Sequence, residues 1–225
     1  MEELNLFPLF LSLRVALTAT LLAFLIGLPV AYYLHRSQGK TADFIDTLIT
    51  LPVVLPPTVL GYYLLVLLGR QSPLGSYLED QFNITLVFTP TGAVIAALIV
   101  SIPFFIKSAR DAFLSIDSSI ISAAKVLGRS DLNIFFTIIL PLSWRGVVSG
   151  ITLSFARALG DFGATLMVAG SIPNETMTMP IAIYDALLAG DRELANFLVL
   201  IMTVVSVAVL YIINRLGKRM SIGSR

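Results

Sequence analysis

Five long apolar stretches, separated by short polar segments, dominate the hydrophobic pattern of this chain. They cover residues 9–34, 47–69, 82–106, 142–170 and 194–213. Each is long enough to cross a hydrocarbon layer about 30 Å thick, which takes roughly 20 apolar helical residues. The pattern therefore predicts an all-α integral membrane protein with about five transmembrane helices, built as a single domain over residues 1–225.

The composition excludes several other classes of protein. Hydrophobic residues make up 56% of the chain and charged residues only 13%, whereas soluble domains carry about 25% charged residues. A soluble fold of this size would expose large apolar patches. The chain has no cysteine and one histidine, His35, so we expect no disulfide, no metal site and no cofactor. The first stretch is too long for a cleaved signal peptide, and Glu2 and Glu3 precede it instead of basic residues.

Lysine and arginine are divided unequally between the two sets of polar segments. One set holds ten of them: Arg36, Lys40, Lys107, Arg110, Lys125, Arg129, Arg215, Lys218, Arg219 and Arg225. The other set holds Arg70 and Arg192, and the remaining three arginines lie in or beside the spans. Because positive residues concentrate in cytoplasmic loops, we predict an N-terminus outside and a C-terminus in the cytoplasm.

The segment between the third and fourth stretches, about residues 115–141, has the pattern of a short amphipathic helix. Ser115 or Asp117 can cap its start with a side-chain oxygen. Apolar residues recur at helical spacing after it, and Gly128 is suited to end it in a left-handed conformation. We predict a helix over Asp117–Leu127, a turn, and a second segment that runs to Pro141.

The same residues carry a resemblance to a known family. Ala123-Ala124, Gly128 after three intervening residues, and the run from Ile138 to Pro141 resemble the "EAA" loop of importer-type ABC permeases. The acidic residue of that pattern is missing here, since Ile121 and Ser122 occupy its place. The resemblance implies that this loop docks in a groove of a separate ATPase subunit, with the coupling role at Ala123, Ala124, Lys125, Gly128 and Pro141. The alternative is an amphipathic helix that lies on the membrane surface.

Three further stretches narrow the resemblance within that family. Residues 51–69, 156–165 and 172–176 are similar to molybdate permeases, and they point to the molybdate/tungstate branch with sulfate permeases as near relatives. The resemblance implies a type I ABC importer permease fold in the cytoplasmic membrane. It also implies a homodimer in the lipid bilayer, two copies of an ATPase subunit, an extracytoplasmic oxyanion-binding protein, and no nucleic acid. Molybdate, tungstate and sulfate remain alternatives as the substrate.

Prolines interrupt the second stretch. Pro52, Pro56 and Pro57 each remove a backbone donor and bend a helix. Carbonyl groups freed in this way must be buried in protein or face a cavity, because lipid cannot bond them. We therefore predict that this stretch lines the translocation path, with Gly61 allowing close approach of a neighbouring backbone. The alternative is an ordinary proline kink in a packed helix.

Two charged residues lie inside the fourth stretch. Arg157 and Asp161 are four residues apart, which places them on one face of a helix. Intramembrane charges are costly and usually face the protein interior. Arg157 could attract an oxyanion in transit, but Asp161 would cancel that charge. We therefore favour a neutralised pair that fixes helix packing or a gate between subunits.

Two other functions compete with the importer permease. A stand-alone channel or secondary transporter often shows inverted repeats and relays of ionisable residues, which this sequence lacks. An intramembrane enzyme needs a nucleophile with a base, or a metal, and a lone His35 offers neither. The chain also lacks the glycine-rich phosphate loop of ATPases. We therefore predict a non-enzymatic permease that works by alternating access, with ATP hydrolysed by another polypeptide.

Overall fold

The computed structural model describes residues 5–37 and 39–220, and the side chains of these residues except 214 and 216–220. All regular structure in these ranges is helical, which confirms the all-α prediction. The helices are α1 Phe7–Arg36, α2 Lys40–Val54, α3 Pro57–Leu68, α4 Pro73–Phe82, α5 Pro90–Leu114, α6 Ser118–Val126, α7 Asp131–Ile134, a π-helical turn Phe135–Ile139, α8 Leu140–Leu159, α9 Gly163–Ala169, α10 Met179–Leu188 and α11 Arg192–Met220.

Three long helices form the centre of the bundle. Helices α1 and α5 run parallel, since Gly27 lies against Phe105 and His35 lies against Phe113. Helix α8 runs antiparallel to them, because its early Gly146 faces Ala112 near the end of α5. Fully buried alanines line the contact between α1 and α5: Ala16, Ala19, Ala93 and Ala97. Small residues let membrane helices approach closely enough for extensive van der Waals contact.

Helices α2 and α3 form a bent pair in place of a straight span. The bend measures 114° and falls at Leu55 and Pro56. Pro56 and Pro57 are two successive residues without an N–H group, so the helical hydrogen bonding stops there, and Pro57 suits the first position of the next helix. The predicted interruption is found at these two prolines, whereas Pro52 lies inside α2. In the described chain, the five predicted spans thus correspond to four continuous apolar helices and this pair.

The third span was predicted eight residues too early. The helix at this place is α5, Pro90–Leu114, and not residues 82–106. Asn83 ends the preceding helix α4 in a left-handed conformation, and the Thr89 side chain caps the start of α5 by accepting a hydrogen bond from the Gly92 N–H. At its other end the helix continues past Lys107 and Arg110. Their side chains lie 3.8 and 3.2 Å from Asp46 on α2, and this pairing allows both charges to remain in the helix.

The fourth span was also placed wrongly. Instead of residues 142–170, a continuous helix runs from Asp131 to Leu159, and α9 is separate. Ser130 caps its start through the Asn133 N–H. Pro141, predicted to end the loop, lies inside this helix just after the π-helical turn, where the Leu140 N–H bonds to the Phe135 carbonyl. The wider turn accommodates a proline that has no N–H of its own.

Candidate functional site

Helix α6 is bounded by strong capping interactions at both ends. The Asp117 carboxylate accepts a 2.9 Å hydrogen bond from the Ser119 N–H. That bond and one from the Ser119 hydroxyl hold the pKa of Asp117 below its ordinary value. At the other end, Gly128 has a φ of +77°, and the Gly128 and Arg129 N–H groups bond to the Lys125 and Ala124 carbonyls. These two hydrogen bonds form the Schellman motif. The helix predicted over Asp117–Leu127 is found at Ser118–Val126, within one residue at each end.

Most of the α6 surface is exposed. Ala124 alone within the helix is buried, at 5% exposure, while its neighbour Ala123 is exposed. Several large apolar side chains are also exposed on α6 and the segment after it: Ile120, Val126, Leu127, Leu132 and Phe136. Large apolar side chains left exposed on a segment outside the central helices favour an interaction surface. The structure thus separates the two alanines of the motif, with Ala124 packed against the bundle and Ala123 facing outward.

Two ion pairs meet at Asp131, a residue that the sequence did not single out, and they link α6 to α7 and α7 to the end of α1. Its Oδ1 lies 3.7 Å from Lys125 Nζ on α6, and its Oδ2 lies 2.8 Å from Arg36 Nη2 at the end of α1. Its position directly after the capping Ser130 was a visible signal for a helix start. Pro141 lies in α8 and outside the exposed connection.

The residues predicted to form the path or gate come together where two helix breaks meet. One break is at Leu55 and Pro56, and the other separates α8 from α9 at residues 160–162. A β-carbon on Gly163, the first residue of α9, would lie 3.0 Å from Pro57 Cβ. A β-carbon on Gly61 would lie 3.0 Å from Ala164 Cα and 2.7 Å from Met167 Cβ. The absent side chains therefore let α3 and α9 pack backbone against backbone.

Arg157 and Asp161 lie at the second break and form an ion pair. Arg157 Nη2 is 3.2 Å from Asp161 Oδ1, and the carboxylate is 1% exposed against 27% for the guanidinium. The prediction of one helix through both residues is wrong, because α8 ends at Leu159. Asp161 instead follows the helix, and its Oδ2 accepts bonds from the Thr165 N–H and hydroxyl at 3.0 and 2.8 Å. The carboxylate thus starts α9 and neutralises Arg157, an arrangement expected of a structural pair.

The described residues contain no group of three or more histidine, aspartate or glutamate side chains that could hold a metal ion. The arrangement contains ion pairs, caps and close helix contacts, and these can transmit movement between helices.

Comparison with known proteins identifies a family of transport proteins that this chain matches over most of its length. A family model described as the binding-protein-dependent transport system inner membrane component matches residues 19–222. The molybdenum transport system permease protein of Escherichia coli K12 is 40% identical over 183 residues, covering 81% of this chain and 80% of that protein. The protein of the same name in Haemophilus influenzae is 39% identical over 211 residues, covering 93% of this chain and 92% of that protein.

Solved structures share the fold at low sequence identity. The MetNI methionine ABC transporter gives a TM-score of 0.74 at 15% identity, covering 95% of this chain and 94% of that one. A bacterial ABC transporter that imports alginate gives 0.72 at 16% identity, covering 93% and 79%. The predicted permease fold is confirmed. With the family model spanning most of its length, this chain belongs to the inner membrane components of binding-protein-dependent transport systems.

Proposed function

We propose that this chain is the membrane-spanning subunit of an ATP-driven importer that carries molybdate into the cell. The choice of molybdate as the substrate rests on relatives that are named as molybdenum transport permeases. They match this chain over most of both lengths at about two-fifths identity. Two copies of the chain would enclose the path, since the five crossings of a single copy are few for that purpose. The whole of residues 1–225 would act as one transmembrane domain.

The outward face of α6 would be the docking surface for the ATPase subunit. The exposed apolar side chains at its end, Val126 at 88% and the next residue Leu127 at 79% exposure, would be poorly solvated without a partner. Lys125 and Arg129 at the edge can pair with acidic groups on the rim of a groove. Ala123, with its small side chain, allows a close approach. A helix that only lies on the membrane surface would not need a cap at both ends.

The charge distribution supports an orientation with α6 in the cytoplasm. The end of the bundle that carries α6 also carries Arg36, Lys40, Lys107, Arg110, Lys125 and Arg129. The opposite end, where α3 meets α4 and where α11 begins, carries Arg70 and Arg192. Positive residues favour the cytoplasmic side. The N-terminus would then lie outside, and the binding protein would deliver its anion to the end opposite α6.

The two adjacent helix breaks would form the gate. Discontinuous helices near the membrane centre mark the sites where transporters move or bind their cargo. Pro56, Pro57 and Gly61 on one side and Arg157 with Asp161 on the other lie in this region. Because Asp161 neutralises Arg157, the gate would pass the anion without holding it tightly, and selectivity would reside in the binding protein.

Reconstituted uptake tests the proposal. The chain, its ATPase and its binding protein in proteoliposomes should accumulate labelled molybdate only with ATP present. Excess sulfate should compete poorly and excess tungstate well, because the anion bound outside decides what enters. Uptake of molybdate by this chain without the ATPase would contradict the importer mechanism. ATP-dependent uptake of sulfate that molybdate does not inhibit would contradict the substrate.

A further inference from the structure

Helix α6 has few contacts with the rest of the described chain. Ala124 is its only buried residue. Along the chain it is joined to α5 through Ser115–Asp117 and to α7 through Leu127–Ser130. Helix α1 is not adjacent to it in sequence. A movement of α6 can therefore reach α1, the first transmembrane helix, only through side chains.

Asp131 provides that connection. It pairs with Lys125 of α6 and, at 2.8 Å, with Arg36 at the last residue of α1. Tyr32, one turn earlier on α1, donates a 3.3 Å hydrogen bond to the Asp131 carbonyl and packs its ring 4.4 Å from that of Phe135. Arg36 in turn bonds the Tyr32 hydroxyl and stacks over its ring. One residue thus joins α1, α6 and the start of the helix that leads into α8.

We infer that Asp131 is a positioning residue for coupling, which ties the end of α1 to α6 so that displacement of α6 by the ATPase also moves the first span. This inference rests on the proposed docking of α6. The acidic residue expected beside Ala123 is absent, and Ser122 stands there. Asp131, which lies between Gly128 and Ile138 of the motif, supplies a carboxylate to Lys125 instead. The charge that pairs with α6 therefore comes from the start of the helix that leads into α8.

The network is suited to force transmission more than to stability. The Arg36 and Asp131 side chains are 42% and 46% exposed, and exposed ion pairs contribute little to folding. Coupling depends instead on whether two elements move together. Asp131→Asn should therefore leave a folded, inserted protein in which ATP hydrolysis continues and transport is inefficient.

The test uses the whole importer in proteoliposomes and measures molybdate taken up per ATP hydrolysed. We expect this ratio to fall roughly two- to thirtyfold in Asp131→Asn, the range that network mutations give for coupling. Arg36→Gln should do the same, and the double variant should be no worse than either single one, since each removes the same interaction. Asp131→Glu should recover most of the ratio. The matched control is Asp191→Asn, which removes an exposed capping carboxylate at α11, and it should leave the ratio unchanged.

An unchanged ratio in Asp131→Asn would overturn the inference. Additive losses in the double variant would also overturn it, because Asp131 would then act through something other than Arg36. If Asp131→Asn fails to insert, Arg36→Gln decides the question, since it leaves the start of α7 intact. Ala123→Glu in the same assay separates the two proposals. If it uncouples transport while Asp131→Asn does not, the docking of α6 stands and only the role of Asp131 is wrong.

Discussion

Asparagine in place of Asp161 should destabilise the protein, because it leaves a largely buried guanidinium without its counter-charge. In the native structure Asp161 Oδ1 lies 3.2 Å from Arg157, and Oδ2 accepts two bonds from Thr165. The amide oxygen of asparagine can still accept from the Thr165 N–H. The substitution therefore keeps the start of α9 and removes mainly the charge.

The size of the effect follows from the burial of the two partners. Removing one member of a fully buried ion pair costs about 3–5 kcal/mol. The carboxylate is 1% exposed, but the guanidinium is 27% exposed and keeps part of its solvation. We therefore expect a loss of about 2–3 kcal/mol. For a chain of this length that is a fall in melting temperature of about 4–12 °C.

Thermal unfolding of the purified importer in detergent, followed by the fraction that remains monodisperse after heating, measures this change. Glu79→Gln is the matched control. It removes a carboxylate that pairs with Arg70 at 3.3 Å, in a pair that is 72% and 32% exposed, and it should shift the midpoint little.

The variant Arg157→Gln distinguishes a structural role of Arg157 from a role in attracting the transported anion. It should retain ATP-dependent uptake once differences in expression are corrected, because the pair fixes packing and does not attract the anion. An Asp161→Asn protein that melts at the wild-type temperature would refute the reasoning. So would an Arg157→Gln protein of normal stability that transports nothing.

Three other perturbations follow from the structure. Ala123→Glu and Gly128→Asp should lower ATP-dependent uptake at least tenfold without preventing insertion, since an unpaired charge in the docking surface costs about 2 kcal/mol; full uptake in either would contradict the docking. Gly61→Ala should cost about 1–3 kcal/mol of stability by overpacking, whereas Gly160→Ala, whose β-carbon would lie 3.4 Å from its nearest neighbour, should be neutral in the same melting assay. Finally, the Asp117 cap has a lowered pKa, so its stabilisation is complete above the ordinary value of 3.8 and is lost as the pH falls through the lower folded value. The protection factor of the Ser119 amide, which is its intrinsic exchange rate at a given pH divided by the observed rate, should therefore fall only below about pH 4, and a fall near pH 6 would contradict this assignment.

Local sequence features predicted α6 well and the transmembrane boundaries poorly. The helix bounds depend on Asp117 and Gly128, which act on their immediate neighbours. Hydropathy, in contrast, locates uncharged stretches. It missed that α5 continues past Lys107 and Arg110, because the Asp46 that neutralises them comes from another helix.

The sequence pointed to the residues of the candidate gate but did not predict how they are arranged in space. Proline chemistry located the first break at Pro56 and Pro57. The second break has no proline, and the uncharged residues on either side of Asp161 resemble a continuous helix. That Gly163 meets Pro57, and that Asp131 meets Arg36, depends on contacts between distant parts of the chain, which the sequence pattern does not encode locally.

Cross-linking from a single cysteine at position 123 tests the central claim most directly. The chain has no cysteine of its own, so Ala123→Cys and a control Asp191→Cys each introduce one unique thiol. With the importer in membrane vesicles of known orientation, the thiol at 123 should cross-link to the ATPase subunit and react only with reagents on the cytoplasmic side. The thiol at 191 should do neither. Labelling of position 123 from outside, or no capture of the ATPase from it, would contradict the account.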